Sequence, residues 1–159
     1  MSATSSVISS KPWTASDLTV RPATRKDRQR LAEIFLDARR HAFPWIIPSR
    51  FRLSDFRRET EGEMILVAEA AGEVVGFASI WEPDAFLHHL YVDPKLLRRG
   101  VGRALIAAMA GHCDKPVELK CQTKNRPAMS FYRRLGFSTD DSGVSDIGPW
   151  VRFRAPSED

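Results

Sequence analysis

In the stretch Leu90-Tyr91-Val92-Asp93-Pro94-Lys95-Leu96-Leu97-Arg98-Arg99-Gly100-Val101-Gly102-Arg103, a β-rich run passes through a short basic turn into an apolar helical pattern. Glycines at 100 and 102 let the backbone approach a ligand closely. The first free amides of the helix, at the positive end of its dipole, point at whatever sits there. Arg98, Arg99 and Arg103 add full charges at the same place, and a diphosphate is the natural occupant. The same residues also fit a tight helix start flanked by surface arginines. No Gly-Lys-Ser/Thr follows, which excludes a Walker loop. The G-x-G lacks a third glycine and follows an antiparallel meander, which excludes a dinucleotide fingerprint.

A second stretch starts 25 residues after Gly100, at Asn125-Arg126-Pro127-Ala128-Met129-Ser130-Phe131-Tyr132-Arg133-Arg134-Leu135-Gly136-Phe137. Ala128, Phe131, Tyr132 and Leu135 fall at i, i+3, i+4 and i+7, the spacing of one helix face. Asn125 suits the N-cap and is equally placed to touch a ligand at the helix start, while Gly136 is a stop signal.

The elements that must hold these stretches can be read along the chain. Residues 1–16 are rich in Ser, Thr and Ala without apolar periodicity and are expected to form a flexible arm. Leu18–Arg21 reads as a strand. Thr24 and Asp27 form a capping box ahead of a helix whose inward face is Leu31, Ile34, Phe35 and Ala38 and which ends near His41, before Pro44 and Pro48. A short helix is expected from Ser54 to about Thr60. Met64–Ala71, Glu73–Trp81 and Phe86–Val92 read as a three-stranded meander, followed by a helix through Val101, Leu105 and Met109 closed by Gly111. Val117–Gln122, the helix from Asn125, and strands over Phe137–Asp141 and Trp150–Arg154 complete the order β-α-α-β-β-β-α-β-α-β-β. One domain over 17–155 with a flexible 156–159 tail is expected.

The chain has 159 residues, of which 43% are hydrophobic, enough for a proper core. No apolar run approaches the ~18 residues a membrane span requires, and the first residues lack a secretory pattern, so a cytoplasmic protein without membrane contact is expected. The net charge is +4, distributed unevenly: residues 21–58 carry 11 Lys/Arg against 4 Asp/Glu, 59–91 none against 7, and 92–134 10 against 3. Such blocks suit a polyanion site or a solvated face. They lack the interleaved stacking aromatics of a nucleic-acid reader, so no nucleic-acid partner is expected. Cys113 and Cys121 read as buried thiols, and no metal site is expected.

Taken together, the two stretches resemble the GNAT superfamily of acyl-CoA-dependent N-acetyltransferases, whose first motif is approximately Q/R-x-x-G-x-G/A after a strand ending in L-Y-V-x-P. Its second is approximately N-x-x-A-x-x-F-Y-x-x-x-G-F, matched here at every fixed position. The resemblance covers Leu18 to Arg154 and implies a mixed, mostly antiparallel sheet of about seven strands flanked by about four helices. It departs at Leu97 and Arg98, where the family usually has Gln/Arg and often Gly.

The resemblance implies acetyl-CoA as acyl donor, a small-molecule or peptide amine as acceptor, and direct transfer in a ternary complex; it is compatible with a homodimer. It assigns the pantetheine arm to backbone groups of Leu90, Tyr91 and Val92, and the pyrophosphate to Arg98, Arg99, Gly100, Val101, Gly102 and Arg103. Asn125 would touch the cofactor, and Tyr132 would protonate the departing thiolate, although it also reads as a core aromatic. Family members often place a Glu base on the strand before the phosphate turn or on the next; here those places hold Phe86 and Lys120. His88 and His89 are expected on alternate faces of the cofactor strand, with His88 a candidate proton relay and also a plain structural residue. Glu82 and Asp84 are weaker candidates. His41, Phe43, Trp45, Phe51 and Trp81 could line an acceptor pocket, with Arg39, Arg40, Arg50 and Arg52 favouring an anionic acceptor. A non-catalytic CoA-binding sensor with the same fold is the alternative reading.

Overall fold

Seven strands form one sheet in the order β1-β2-β3-β4-β5-β7-β6 in the computed structural model, which describes residues 13–157. The first twelve positions of the expected arm and the last two of the expected tail lie outside the described residues. Strands β1 (Thr19–Pro22), β2 (Met64–Ala70), β3 (Glu73–Trp81) and β4 (Phe86–Val92) pair antiparallel in succession. β5 (Glu118–Gln122) joins β4 in parallel, and β7 (Gly148–Arg154) lies antiparallel between β5 and β6 (Ser138–Ser145). The mixed, mostly antiparallel sheet and its four α-helices match the expected architecture. Among the described residues no helix is long and apolar enough to cross a membrane.

Each face of the sheet is covered by the helices whose apolar spacing the sequence shows. On one face α1 (Arg28–Ala42) and α2 (Asp55–Glu59) bury Leu31, Ile34, Phe35 and Phe56 against Val67, Val74 and Phe77. Phe35 is fully buried and meets Phe56, Phe77, His89 and Tyr91 edge-on, with centroids 4.9–6.0 Å apart. On the other face α3 (Val101–Ala110) and α4 (Arg126–Arg134) bury Val101, Leu105, Met109 and Met129 against Leu66, Ala78, Leu87 and Phe153. The capping box ahead of α1 forms as read: the Thr24 amide donates to Asp27 at 2.7 Å, and the guanidinium of Arg21 holds the Asp27 carboxyl down at about 2. Gly136, at φ 88°, ends α4 and lets the Phe137 amide turn back to donate to the Tyr132 carbonyl.

Three readings are corrected. Trp13, expected within a flexible arm, is only 6% exposed and packs into the core beside α3. β6 and β7 form a longer hairpin than expected, because backbone pairing and the cross-strand Arg152–Asp140 ion pair hold β6 together although its residues are mostly exposed and show no apolar alternation. Cys113 is partly exposed rather than buried.

A further correction concerns β4. Ser79 of β3 pairs with His89 while the next residue, Ile80, pairs with Leu87, so His88 is an extra residue, a β-bulge. Leu87 and Leu90 consequently both face α3. His88 and His89, expected on opposite faces, both turn toward the α1–α2 side, with ring centroids 6.0 Å apart.

β3, β4 and α3 pack closely at Gly76, where a Cβ would lie 2.9 Å from Val101 Cγ1 and 3.0 Å from the Tyr91 carbonyl oxygen. The oxygen belongs to the backbone and cannot swing aside. Gly76→Ala should therefore lower stability by about 1–3 kcal/mol in urea unfolding; a wild-type midpoint would contradict this packing.

Candidate active site in the split between two strands

β4 and β5 part company immediately. Among the described residues their only parallel pair is Phe86 with Glu118, supported by the Glu118 amide donating to the Ala85 carbonyl at 3.0 Å. Beyond it the edge of β4 facing β5 has no strand to pair with, in the middle of the sheet. A cavity of about 200 Å³ occupies the split, bordered by Leu87, His88, Leu90 and Tyr91 of β4, by Leu119–Gln122 of β5, and by Asn125, Ala128 and Tyr132 at α4. Phe43 and Ile147, from two loops, close the α1 side. A larger cleft of about 890 Å³ lies between the start of α1 and the loop after α2, but no unpaired strand edge borders it.

The basic turn sits where β4 ends. Arg30 fixes it from α1, with a 2.8 Å bond to Asp93 and a 3.1 Å bond to the Val74 carbonyl. Arg98 and Gly100 both take left-handed backbone angles, φ 66° and 86°, and no side chain caps the first turn of α3. Arg98 and Arg103 are exposed at this turn. Arg99 is engaged: its guanidinium stacks 3.8 Å over the Trp13 ring and donates to the Trp13 carbonyl at 2.7 Å. Gly102 has a packing reason, since a Cβ there would lie 3.2 Å from the Phe131 ring. The N-cap reading of Asn125 holds, its side-chain oxygen accepting from the Ala128 amide at 3.2 Å.

Tyr132 is 7% exposed and packs among the rings of Phe131, Phe137 and Phe153, at 5.1–5.5 Å. Among the described residues nothing hydrogen-bonds its hydroxyl, and burial pushes the phenol well above its ordinary range, so it stays protonated. Burial pushes the neighbouring Cys121 thiol up to about 12 and also raises Tyr91. Burial thus keeps all three of these acids neutral on this side of the split.

His88 Nδ1 bonds to Glu63 of the loop between α2 and β2, and the same carboxylate accepts from Ser79 Oγ of β3. His89 sits deeper. Its Nε2 lies 3.3 Å from the Glu59 carbonyl, and burial lowers its pKa to about 4.

Of the expected acceptor set, Phe43 borders the cavity and Trp45 supports its roof by donating from Nε1 to the Ile147 carbonyl at 2.9 Å. His41 is exposed at the end of α1, and Trp81, 41% exposed, lies against Gly62; neither reaches the cavity. Three of the four arginines are committed to structure. Arg39 bonds to the Phe35 carbonyl and Asp55, Arg40 bonds to the carbonyls of Pro48 and Phe51, and Arg50 pairs with Asp146. They pin the loop that carries Phe43 rather than offering charge to an acceptor. Sequence reasoning missed Glu63, Gln122 and Ile147, which converge from distant loops and strands with no local motif to mark them. Lys120 of β5, at the border of the cavity, stacks 4.3 Å over Trp150.

A strand edge left open beside a basic turn and a buried tyrosine is the arrangement that the two sequence motifs imply. Residues 28–137 match the Acetyltransferase (GNAT) family. The chain belongs to that family and is an N-acetyltransferase. Among similar proteins, peptidyl-lysine N-acetyltransferase YiaC of Escherichia coli (strain K12) is 30% identical over 138 residues, spanning 83% of this chain and 93% of that one. A GCN5-related N-acetyltransferase from Rhodopseudomonas palustris shares the fold with a TM-score of 0.75 at 21% identity, covering 91% of this chain and 99% of that one. The PaiA N-acetyltransferase from Thermoplasma acidophilum, solved in complex with coenzyme A, superposes with a TM-score of 0.67 at 16% identity over 86% of this chain and 98% of that one.

The half-buried His89 yields an acid-stability prediction. It takes a proton near 6.5 when unfolded but only near 4 when folded, so stability is complete above pH 6.5 and falls as pH drops toward 4. The loss should reach about 3 kcal/mol. His89→Gln should flatten that part of the urea stability–pH curve, and an unchanged slope would show that another group carries it.

Proposed function

We propose that the chain transfers an acetyl group from acetyl-CoA to a primary amine of a small molecule or peptide, directly and within one ternary complex. The observation that carries this reading is the unpaired edge of β4 running past the buried Tyr132. Backbone groups of Leu90, Tyr91 and Val92 pair with the pantetheine arm as a missing strand would, and the phosphate turn holds the pyrophosphate through its open amides with Arg98 and Arg103. Arg99 acts there by fixing the turn to Trp13, and the free amide end of Asn125 faces the same ligand. These contacts lay the thioester in the split.

The acceptor approaches from the Phe43 side. An alkylamine with a pKa of about 10.4 is almost wholly protonated at neutral pH, so a base must take its proton; His88 borders the cavity and is the residue for it. The amine nitrogen attacks the thioester carbon, whose oxygen is polarised by a backbone amide at Leu90 or Tyr91. As the new C–N bond forms, the C–S bond breaks and the sulfur takes the hydroxyl proton of Tyr132; the second proton, which the nitrogen sheds on becoming an amide, returns the phenolate of Tyr132 to the phenol. Burial raises the phenol and the neighbouring Cys121 thiol alike, and a thiolate leaving in the same surroundings would be raised in the same direction. Cys121 itself is a poor nucleophile, buried and pushed up to about 12, which favours direct transfer over an acyl-enzyme.

The similarity to a peptidyl-lysine N-acetyltransferase supports a lysine side chain among the acceptors to try first. In a thiol-release screen of lysyl peptides, polyamines, amino acids and N-terminal peptides, at least one amine should release free CoA. Tyr132→Phe should then lower kcat about 100-fold while CoA affinity stays within error. Wild-type turnover by Tyr132→Phe would dismiss Tyr132 as the acid. CoA binding without thiol release from any amine would favour a sensor.

A further inference from the structure

We propose that Glu63 is the positioning residue that makes His88 the general base, the two forming a carboxylate–imidazole pair with Nε2 of His88 turned to the acceptor amine; this rests on the acetyl-transfer reading above. The Glu63 side chain is 4% exposed. One of its oxygens accepts from Ser79 Oγ, itself fully buried, and the other meets His88 Nδ1. A carboxylate can only accept, so Nδ1 must carry the proton and the lone pair is left on Nε2. The bulge leaves both imidazoles on the α1–α2 side, beside Ser79 and within reach of Glu63. The ring is also steadied edge-on by Phe86 at 4.9 Å, and it is 43% exposed at the border of the cavity.

The charged groups facing this pair are accounted for from each side. His89 of β4 has its Nε2 on the Glu59 carbonyl. Glu59 lies 3.6 Å from Arg39 of α1, which also holds Asp55 of α2. Lys120 of β5 is a cation held over Trp150. Among these groups Glu63 alone is a buried carboxylate whose described partners are one hydroxyl and one imidazole. When His88 takes the amine proton at Nε2, the resulting imidazolium faces Glu63 and the buried carboxylate gains its counter-charge. Lys120, where the family often has a Glu, leaves that duty vacant, and Glu63 with His88 fills it from the opposite lip of the split.

Two measurements test this. In long-range ¹H–¹⁵N spectra at neutral pH, His88 should be the Nδ1–H tautomer in the wild type and a mixture in Glu63→Gln; Nε2–H in the wild type would overturn the pairing. With a lysyl peptide as probe, Glu63→Gln should lose about 100-fold in kcat near pH 7 with little change in KM. That deficit should shrink as pH rises toward about 10, where the amine arrives neutral. A deficit constant with pH, or none, would overturn the role. His88→Ala, altering an exposed side chain, should lose a similar factor and recover partly with added imidazole; full activity without imidazole would also overturn it. If the wild type releases no thiol with this peptide, the acceptor class is at fault, and the tautomer spectrum still upholds or rejects the pair.

Discussion

Backbone amides and carbonyls in the middle of a sheet normally find partners on both sides, because each one left dry and unpaired costs a good part of a hydrogen bond, on the order of 1–3 kcal/mol. One edge of β4 breaks that rule. Its parallel ladder with β5 begins at Phe86 and Glu118 and stops there, leaving the next six residues, Leu87–Val92, with an open side. The rest of the molecule is arranged around keeping that edge open yet fixed. β3 pairs it firmly from the other side, Arg30 ties its end to α1, and Phe43 and Ile147 cover the gap from above. On the reading proposed above, a ligand that carries amides of its own completes the sheet.

Much of this architecture was legible in the sequence because period and punctuation agreed. The apolar spacing of α1, α3 and α4, the meander and the Gly136 stop all have local causes, and the structure repeats them. The bulge had a faint signal: Leu87 and Leu90 are three apart where a regular strand would place inward residues two or four apart, and two histidines between them hide the slip. The polar residues around Trp13 read as an arm, whereas its indole is anchored by Arg99, 86 positions away. Glu63 reaches His88 across 25 positions and carries no motif. The arginines around Phe43 looked available as charge, but guanidinium groups at loop bases often serve backbone carbonyls, as Arg39 and Arg40 do here.

Burial on one side and charge on the other give the split its chemical character. Tyr132, Tyr91 and Cys121 are all raised by burial, so neutral acids are kept neutral beside the place where a thiolate would form. The polar groups gather on the opposite lip, at Glu63, His88 and Glu59, on the face that α1 and α2 cover. On the reading proposed above, proton removal and proton donation fall on two sides of one narrow gap, the first polar and charged, the second apolar.

Hydrogen exchange of the β4 amides, followed residue by residue with and without CoA, probes the open edge most directly. Amides within Leu87–Val92 that β3 does not engage should exchange quickly in the free protein and slow at least tenfold when CoA raises the melting temperature. If CoA stabilises the protein while those amides exchange at their free rate, the cofactor lies elsewhere and the account of the split fails.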